Sequence, residues 1–472
     1  MSEPVIEWTK HLGTSSSEFS YGIVTDSNGN VYITGYTSGD LDGTNQGGYD
    51  AFVVKFDSGG NEVWRTQVGT ALEDGGSSIA IDSNGNVYIT GITKGELDGT
   101  NQGGYDTFVV KFDSGGTEVW RTQLGTSGSD SGRSIATDSN DNVYITGRTT
   151  GVLDGENKGG WDIFVVKFDS GGTEVWRTQL GSSSGDLDQA NGIAIDSNDN
   201  VYIAGFTRGA LDGTNPGGAD AIVVKYDTDG TEVWITQVSN SHTEEDVDFG
   251  GGSDAEAFSI AIDSHNNVYI TGKTNGDFDG DNLGSSDIFV VKFDTGGTEV
   301  WRKQLGSGGA EQGNGIAIDS NNNVYITGMT EGVLSGTNQG SHDAFVVKFD
   351  SGGNEVWRTQ LGTTGREFVW CLAIDLNDNV YISGGTTGDF DGTSQGAYDA
   401  FVVKYSVEEP NTGYQFVNVN ELQTAVNLWV SDKSSALSTY GEINTWDTSL
   451  VTSMNGLFSS KTTFNDDISN WN

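Results

Sequence analysis

Several things are scarce in this chain of 472 residues. It has one cysteine, Cys371, so neither an intrachain disulfide nor a cysteine-built zinc cluster can form. Proline occurs three times, and no apolar run approaches the ~18 residues of a membrane span. Positive charge is short: Lys and Arg total 23 against 67 Asp and Glu, a formal charge of −44. A nucleic-acid backbone and an anionic membrane surface would both be repelled. That acidity suits salty or calcium-rich surroundings, or serves solubility alone. The opening "MSEPVIEW" lacks the basic and apolar regions of a signal peptide. The four histidines (His11, His242, His265, His342) are scattered, with no metal triad or nucleophile motif. Catalysis is therefore not expected.

What is abundant is glycine, at 70, set between segments rich in Tyr, Phe, Trp, Val, Ile and Thr. That composition makes strands and turns. "NVYITG" or a close variant recurs from Val31, Val87, Val143, Val201, Val268, Val324 and Val380, at steps of 56, 56, 58, 67, 56 and 56. In the second unit four strand-like runs follow one another: Ser78–Asp82, Asn86–Gly91, Thr107–Asp113 and Glu118–Gly125. Turns of the type "DSNGN" and "DSGGTE" join them. Four antiparallel strands per repeat is a β-propeller blade, and seven blades close a ring. The fold class is all-β.

The ends break the pattern in a telling way. The chain opens on "VIEWTKHLG", an outer strand without its blade, and the repeats end on "FVVKYS", a blade without its outer strand. The N-terminal strand is therefore expected to complete blade seven and leave no free edge. The inner strands carry Gly22, Ser78, Ser134, Gly192, Ser259, Gly315 and Cys371 at one position, all small, as a crowded axis requires. Cys371 reads as one of these packed residues. The recurring tryptophans read as packing between blades.

The unit "AIDSNGNVYITGITKGELDGTNQGGYDTFVVKFDSGGTEVWRTQLG" resembles the bacterial β-propeller repeat family SBBP, over nearly all of residues 4–406. The resemblance implies the fold and a secreted or surface setting, but no activity. "FDSGGTEVWRTQLG" also resembles the tryptophan repeat of quinoprotein propellers, whose quinone and calcium ligands have no counterpart here. Residues 1–406 are thus expected to be the propeller, 407–415 a linker and 416–472 a distinct segment. In that segment "NELQTAVNLW" predicts a helix with Asn420 as N-cap, Gln423 at capping-box spacing and Leu422, Ala425, Val426 and Trp429 as its apolar face. "INTWDTSLVTSMNGLF" and "FNDDISNWN" resemble a repeat of about 25 residues from mycoplasma-type lipoproteins and leucine-rich-like adhesins. Ile443 and Trp446 match Ile468 and Trp471. A truncated surface-repeat array or a small α+β end are both open.

Function is expected on the face of the long connections, around the axis. Two positions there vary between repeats. The first holds Tyr21, Ser77, Arg133, Asn191, Phe258, Asn314 and Trp370; the second holds Tyr36, Ile92, Arg148, Phe206, Lys273, Met329 and Gly385. They are 15 residues apart in every blade, as rough cross-strand neighbours would be. Tyr21, Tyr36, Arg133, Arg148, Asn191, Phe206, Phe258, Lys273, Asn314 and Trp370 are the candidate ligand-binding residues. Calcium is the candidate ion, through Glu244, Glu245, Asp246, Asp248 and Asp254 in the one lengthened loop, which reads equally as a solvated acidic loop. The "DSNGN" turns offer one carboxylate each and read as Asx-turns rather than calcium loops. A monomeric, non-catalytic extracellular or cell-surface scaffold for a glycan or protein follows. A carbohydrate-active enzyme in the same funnel, or a structural spacer of an adhesin, are the alternatives.

Overall fold

Each repeat forms one four-stranded antiparallel sheet in the computed structural model, and there are seven such sheets. The structure describes residues 4–472 apart from 184, 214–217, 240–253, 280–281, 407–413, 442, 460, 462–463, 467, 469–470 and 472. Residues 6–406 form one unit and residues 407–472, with the first five, another.

Blade one runs outward as β2 (Glu18–Thr25), β3 (Val31–Thr37), β4 (Asp50–Phe56) and β5 (Glu62–Val68). Blades two to six repeat it over 74–124, 130–180, 188–238, 255–305 and 311–361, as β6–β25. Blade seven has β26 (Glu367–Ile374), β27 (Val380–Thr386) and β28 (Asp399–Ser406), and its fourth strand is β1 (Val5–Leu12). The expected closure by the N-terminus is what the sheet order shows. The inner strands start four residues earlier than expected: blade two opens at Asp74, not Ser78. Its side chain explains why. Asp74 is buried and accepts from both the backbone nitrogen and the hydroxyl of Thr70, which extends the strand into the preceding connection.

One row of side chains recurs across every blade. In blade one the Tyr32 hydroxyl donates to Asp26 at 3.0 Å, and Lys55 lies 4.8 Å above the Tyr32 ring. The Trp64 ring stands 6.0 Å from Tyr32. Trp64 Nε1 then donates to the Ser114 carbonyl in the next blade, at 3.2 Å. Gly116 lies over the same indole: its φ is +85°, and a Cβ there would meet the ring at 2.7 Å. Only glycine satisfies both conditions. In blade seven the row is Asp375, Tyr381, Lys404 and Trp8. Trp8 donates to Ser58 of blade one at 3.2 Å, and Lys404 pairs with Glu7 at 2.7 Å. The strand that closes the ring thus supplies the tryptophan contacts to its own blade and to the next one.

At the axis the small residues do what crowding requires. A Cβ on Gly22 would lie 3.0 Å from both Ser78 Cα and Ile79 N of blade two. Burial pushes the Cys371 thiol pKa up, which keeps it neutral and inert.

In the second unit α1 spans Val419–Ser431 and α2 Lys433–Tyr440. The helix is as expected but its cap is not. Asn418, not Asn420, caps α1, accepting from the Asn420 and Glu421 nitrogens, and Glu421 reaches back to Val417 N. Asn418 and Glu421 thus stand at capping-box spacing, two residues ahead of the expected pair, with Glu421 accepting from the residue before the cap. Leu422, Ala425, Val426 and Trp429 are buried with Phe416, Ile443 and Trp446. Trp471 stacks on Trp446 with ring centres 5.9 Å apart and planes at 17°, which places the 25-residue repeat in register. Tyr414 and Gln415, read from the sequence as the end of a linker, already pack here, against Phe416 and Asp447.

Two tests follow from these contacts. Trp8→Ala should cost about 2 kcal/mol, as much as Trp64→Ala, less than the ~3–5 kcal/mol of a fully buried aromatic because both rings are partly exposed. Chemical denaturation would refute the closure if Trp8→Ala were neutral. The second test is the pH dependence of stability. Burial raises Asp220 from 3.8 to about 6, and burial, reinforced by neighbouring carboxylates, raises Asp74, Asp130, Asp188 and Glu367. A raised carboxyl binds its proton more tightly folded than unfolded, so it favours folding at low pH and loses that contribution as pH rises through about 6. At Asp82, Asp138 and Asp263 burial opposes ionisation, but hydrogen bonds from the turn prevail and hold them below 3.8. Their contribution is lost only below that value. The melting temperature should therefore be higher at pH 5 than at pH 7.5, and Asp220→Asn should flatten the slope. A lower melting temperature at pH 5 contradicts this assignment.

Candidate functional site

Every inner strand carries a β-bulge at the same place. Pairing skips from Ser20 to Gly22 in blade one and from Gly132 to Ser134 in blade three, with the same break in the other five. The skipped residues are Tyr21, Ser77, Arg133, Asn191, Phe258, Asn314 and Trp370. A bulge re-aims the side chain it frees, and all seven line one cavity of about 610 Å³. The bulge also corrects the expected pairing. Tyr36 lies opposite Phe19 rather than Tyr21, and Arg148 lies opposite Ser131.

Eight of the ten candidate residues line this cavity: Tyr21, Tyr36, Arg133, Arg148, Asn191, Phe258, Asn314 and Trp370. Phe206 and Lys273 do not. Phe206 is only 7% exposed, and Lys273 is drawn to Glu256, 3.2 Å away. Sequence reasoning missed Tyr49, Tyr105 and Trp161, which also line the cavity. Their signal was an aromatic residue before the aspartate that opens the third strand of blades one to three, in "GGYD" and "GGWD".

The cavity has two chemically different sides. Blades seven and one give an aromatic wall. Tyr21 stands 5.7 Å from Trp370 and 5.9 Å from Tyr36, and Tyr36 stands 4.8 Å from Tyr49. Burial raises the Tyr21 phenol pKa, so the hydroxyl stays protonated at neutral pH. Blades three, four and six give cations and amides. Arg148 lies flat on Trp161, 3.6 Å from the ring centre, and donates to Gln189 Oε1 at 2.7 Å. Asn191 and Asn314 donate to the Ala257 and Val369 carbonyls of the following blades, at 2.8 and 2.7 Å. These two asparagines brace the neck of the funnel as well as lining it. Burial lowers the Arg133 pKa; burial and then the charge of Arg133 lower Arg148 to about 10. No Asp, Glu, Lys or His is among the described residues that line the cavity.

The structure speaks to metal binding at three places. Glu244, Glu245, Asp246 and Asp248 lie outside the described residues. Asp254 accepts from Ala219 N at 2.7 Å, a structural use of its carboxylate. In the "DSNGN" turn, Asp82 Oδ1 accepts from Asn84 N and Asn86 N, and Oδ2 from Asn86 Nδ2 and the Tyr88 hydroxyl. That is the Asx-turn, with both oxygens occupied. The third place is the closure, where donor atoms of His11, Asp389 and Asp391 lie within 4.8 Å of one another. His11 replaces the glutamine of other outer strands. Gln67 accepts from Leu41 N and Asp42 N and donates to Gly39 O and Asp50 Oδ2. His11 Nε2 accepts only from Phe390 N, at 3.4 Å. Its Nδ1 is buried without a partner, 3.7 Å from Asp391 and 4.0 Å from Asp399. With Nε2 accepting, the tautomer that this contact implies carries its proton on Nδ1, toward the carboxylates.

Comparison with known proteins agrees with the fold. The family described as "Beta-propeller repeat", SBBP, matches residues 7–42, 63–98, 119–154, 175–211, 233–279 and 300–334. The family described as "Mycoplasma protein of unknown function, DUF285" matches 414–472. An uncharacterized WD repeat-containing protein of Acanthamoeba polyphaga mimivirus is 24% identical over 534 residues, covering 86% of this chain and 38% of the relative. The regulatory protein FlaEY of Caulobacter vibrioides is 24% identical over 252 residues, covering 50% of this chain and 25% of the relative. The chain thus spans well under half the length of these curated relatives. A polysaccharide lyase structure aligns with 82% of this chain and 89% of its own, at 11% identity and a TM-score of 0.44.

His11→Gln should restore the missing hydrogen bonds and stabilise the propeller by about 1–2 kcal/mol at pH 7.5. Thermal unfolding checks it, and a lower melting temperature for the variant would show that the histidine has a use the glutamine lacks.

Proposed function

The blades are repeats of the SBBP β-propeller family, and on that scaffold we propose a non-catalytic binding protein with a glycan as ligand. The observation that carries this reading is the make-up of the 610 Å³ cavity, an aromatic wall facing amides and arginines. Its volume lies within the range of small-ligand pockets. Sugar rings present apolar C–H faces that pack on aromatic side chains, and hydroxyl edges that hydrogen-bond amides and phenols. Tyr21, Tyr36 and Trp370 supply the first kind of contact, and Gln189, Gln312 and Asn314 the second. Absence of carboxylates from the described lining favours binding over hydrolysis, because glycoside hydrolysis ordinarily needs a pair of them.

An extracellular or cell-surface setting fits the acidity of the chain and the resemblance of residues 416–472 to surface-protein repeats. A surface protein could be the ligand instead, and the test below separates the two.

The intact chain should bind a restricted set of sugars on a glycan array, equally with calcium and with chelator. Trp370→Ala should reduce binding by about tenfold or more, the worth of ~1.5 kcal/mol of aromatic contact. Bound oligosaccharide should be recovered uncleaved after overnight incubation. Binding to no sugar would overturn the glycan reading, and cleavage would overturn the non-catalytic one.

A further inference from the structure

Among the described residues, the only charged side chains that line the cavity are Arg133 and Arg148, in a chain of net charge −44. Five arginines of the outer strands, Arg65, Arg121, Arg177, Arg302 and Arg358, each close on a glutamate three residues earlier. Arg133 and Arg148 have no such partner among the described residues. They stand near enough that one charge lowers the pKa of the other, an arrangement that costs energy until an anion joins it. Two buried donors in the same lining, Arg133 Nε and Trp370 Nε1, have no acceptor among the described residues. Arg148 is held flat by Trp161 and Gln189, so its remaining N–H groups are pre-set, as bidentate recognition of a planar anion requires.

We infer that the ligand of this funnel is an acidic sugar, its carboxylate or sulfate held by Arg133 and Arg148 and its ring laid on the Tyr21–Trp370 wall. This rests on the glycan reading above and adds the charge of the ligand to it. An anion is the one group that relieves every unsatisfied feature at once. It only accepts hydrogen bonds, as the unpaired donors need, and it neutralises the like-charged pair. The net charge of −44 repels anions in general, so attraction is confined to the place where both arginines and the ring wall meet.

The test is calorimetric titration of the full chain with galacturonate oligomers, the same oligomers after carboxyl reduction, and a sulfated galactan oligomer. The acidic forms should bind about tenfold or more tighter than the reduced one at low salt, an advantage that shrinks as salt rises. Whether carboxylate or sulfate is preferred identifies the anion. Arg133→Gln and Arg148→Gln should each abolish the acidic preference, bringing the acidic and reduced oligomers to within about twofold of one another. Arg148→Lys should not restore it, because an ammonium lacks the fork. Equal or tighter binding of the reduced oligomer overturns the inference and leaves the glycan reading standing. If no oligomer binds, the glycan reading falls, and inorganic sulfate decides the rest. Sulfate should raise the melting temperature of the natural chain more than that of the double glutamine variant, and an equal rise overturns the anion site as well.

Discussion

The row of aspartate, tyrosine, lysine and tryptophan across each blade is the contact on which the rest of this structure depends. It ties the turn after the inner strand to the second, third and fourth strands through one hydrogen bond, one cation over a ring and one aromatic contact. In blades one, two, three, five and seven the tryptophan N–H then donates into the next blade. A blade is thereby braced within itself and fastened to its neighbour by the same side chains. Seven such rows complete the ring, provided the last tryptophan comes from the other end of the chain. Trp8 supplies it.

That rigid outer framework leaves the inner strands free to vary where they face the axis. The β-bulge is the device. It releases one residue per blade from pairing and turns it into the cavity, so seven different side chains share one site without disturbing the ladders beneath them. The buried acids that open the first and third strands hold the long connections over the same cavity. Asn191 and Asn314 brace blade to blade, Tyr21, Tyr36 and Trp370 form a wall, and Arg133 and Arg148 supply charge. One repeated scaffold therefore carries a site with no sevenfold symmetry of its own.

Most of the fold was legible in the sequence because each repeat states it again. The period, four runs per unit, glycine turns and split terminal blade leave few topologies open, and the C-terminal helix shows its apolar face. The helix cap was displaced because Asn418 and Asn420 are both good capping residues and only the chain's approach angle selects between them. The site was legible in part. Differences between repeats pointed to the bulge residues and to Arg148. They could not show that Phe206 is buried or that Glu256 draws Lys273 aside, since both depend on neighbours in space. Tyr49, Tyr105 and Trp161 escaped notice because they sit in loops whose path no strand pattern fixes.

That the described lining holds two arginines and no carboxylate was invisible to composition, which sees 67 acids and no reason for a positive pocket. The most direct test of that pocket is a crystal structure with a galacturonate oligosaccharide bound. The account predicts a carboxylate within about 3 Å of both guanidinium groups, with the sugar ring against Tyr21 and Trp370. A ring seated elsewhere, or a carboxylate turned to solvent with Arg133 untouched, would contradict it.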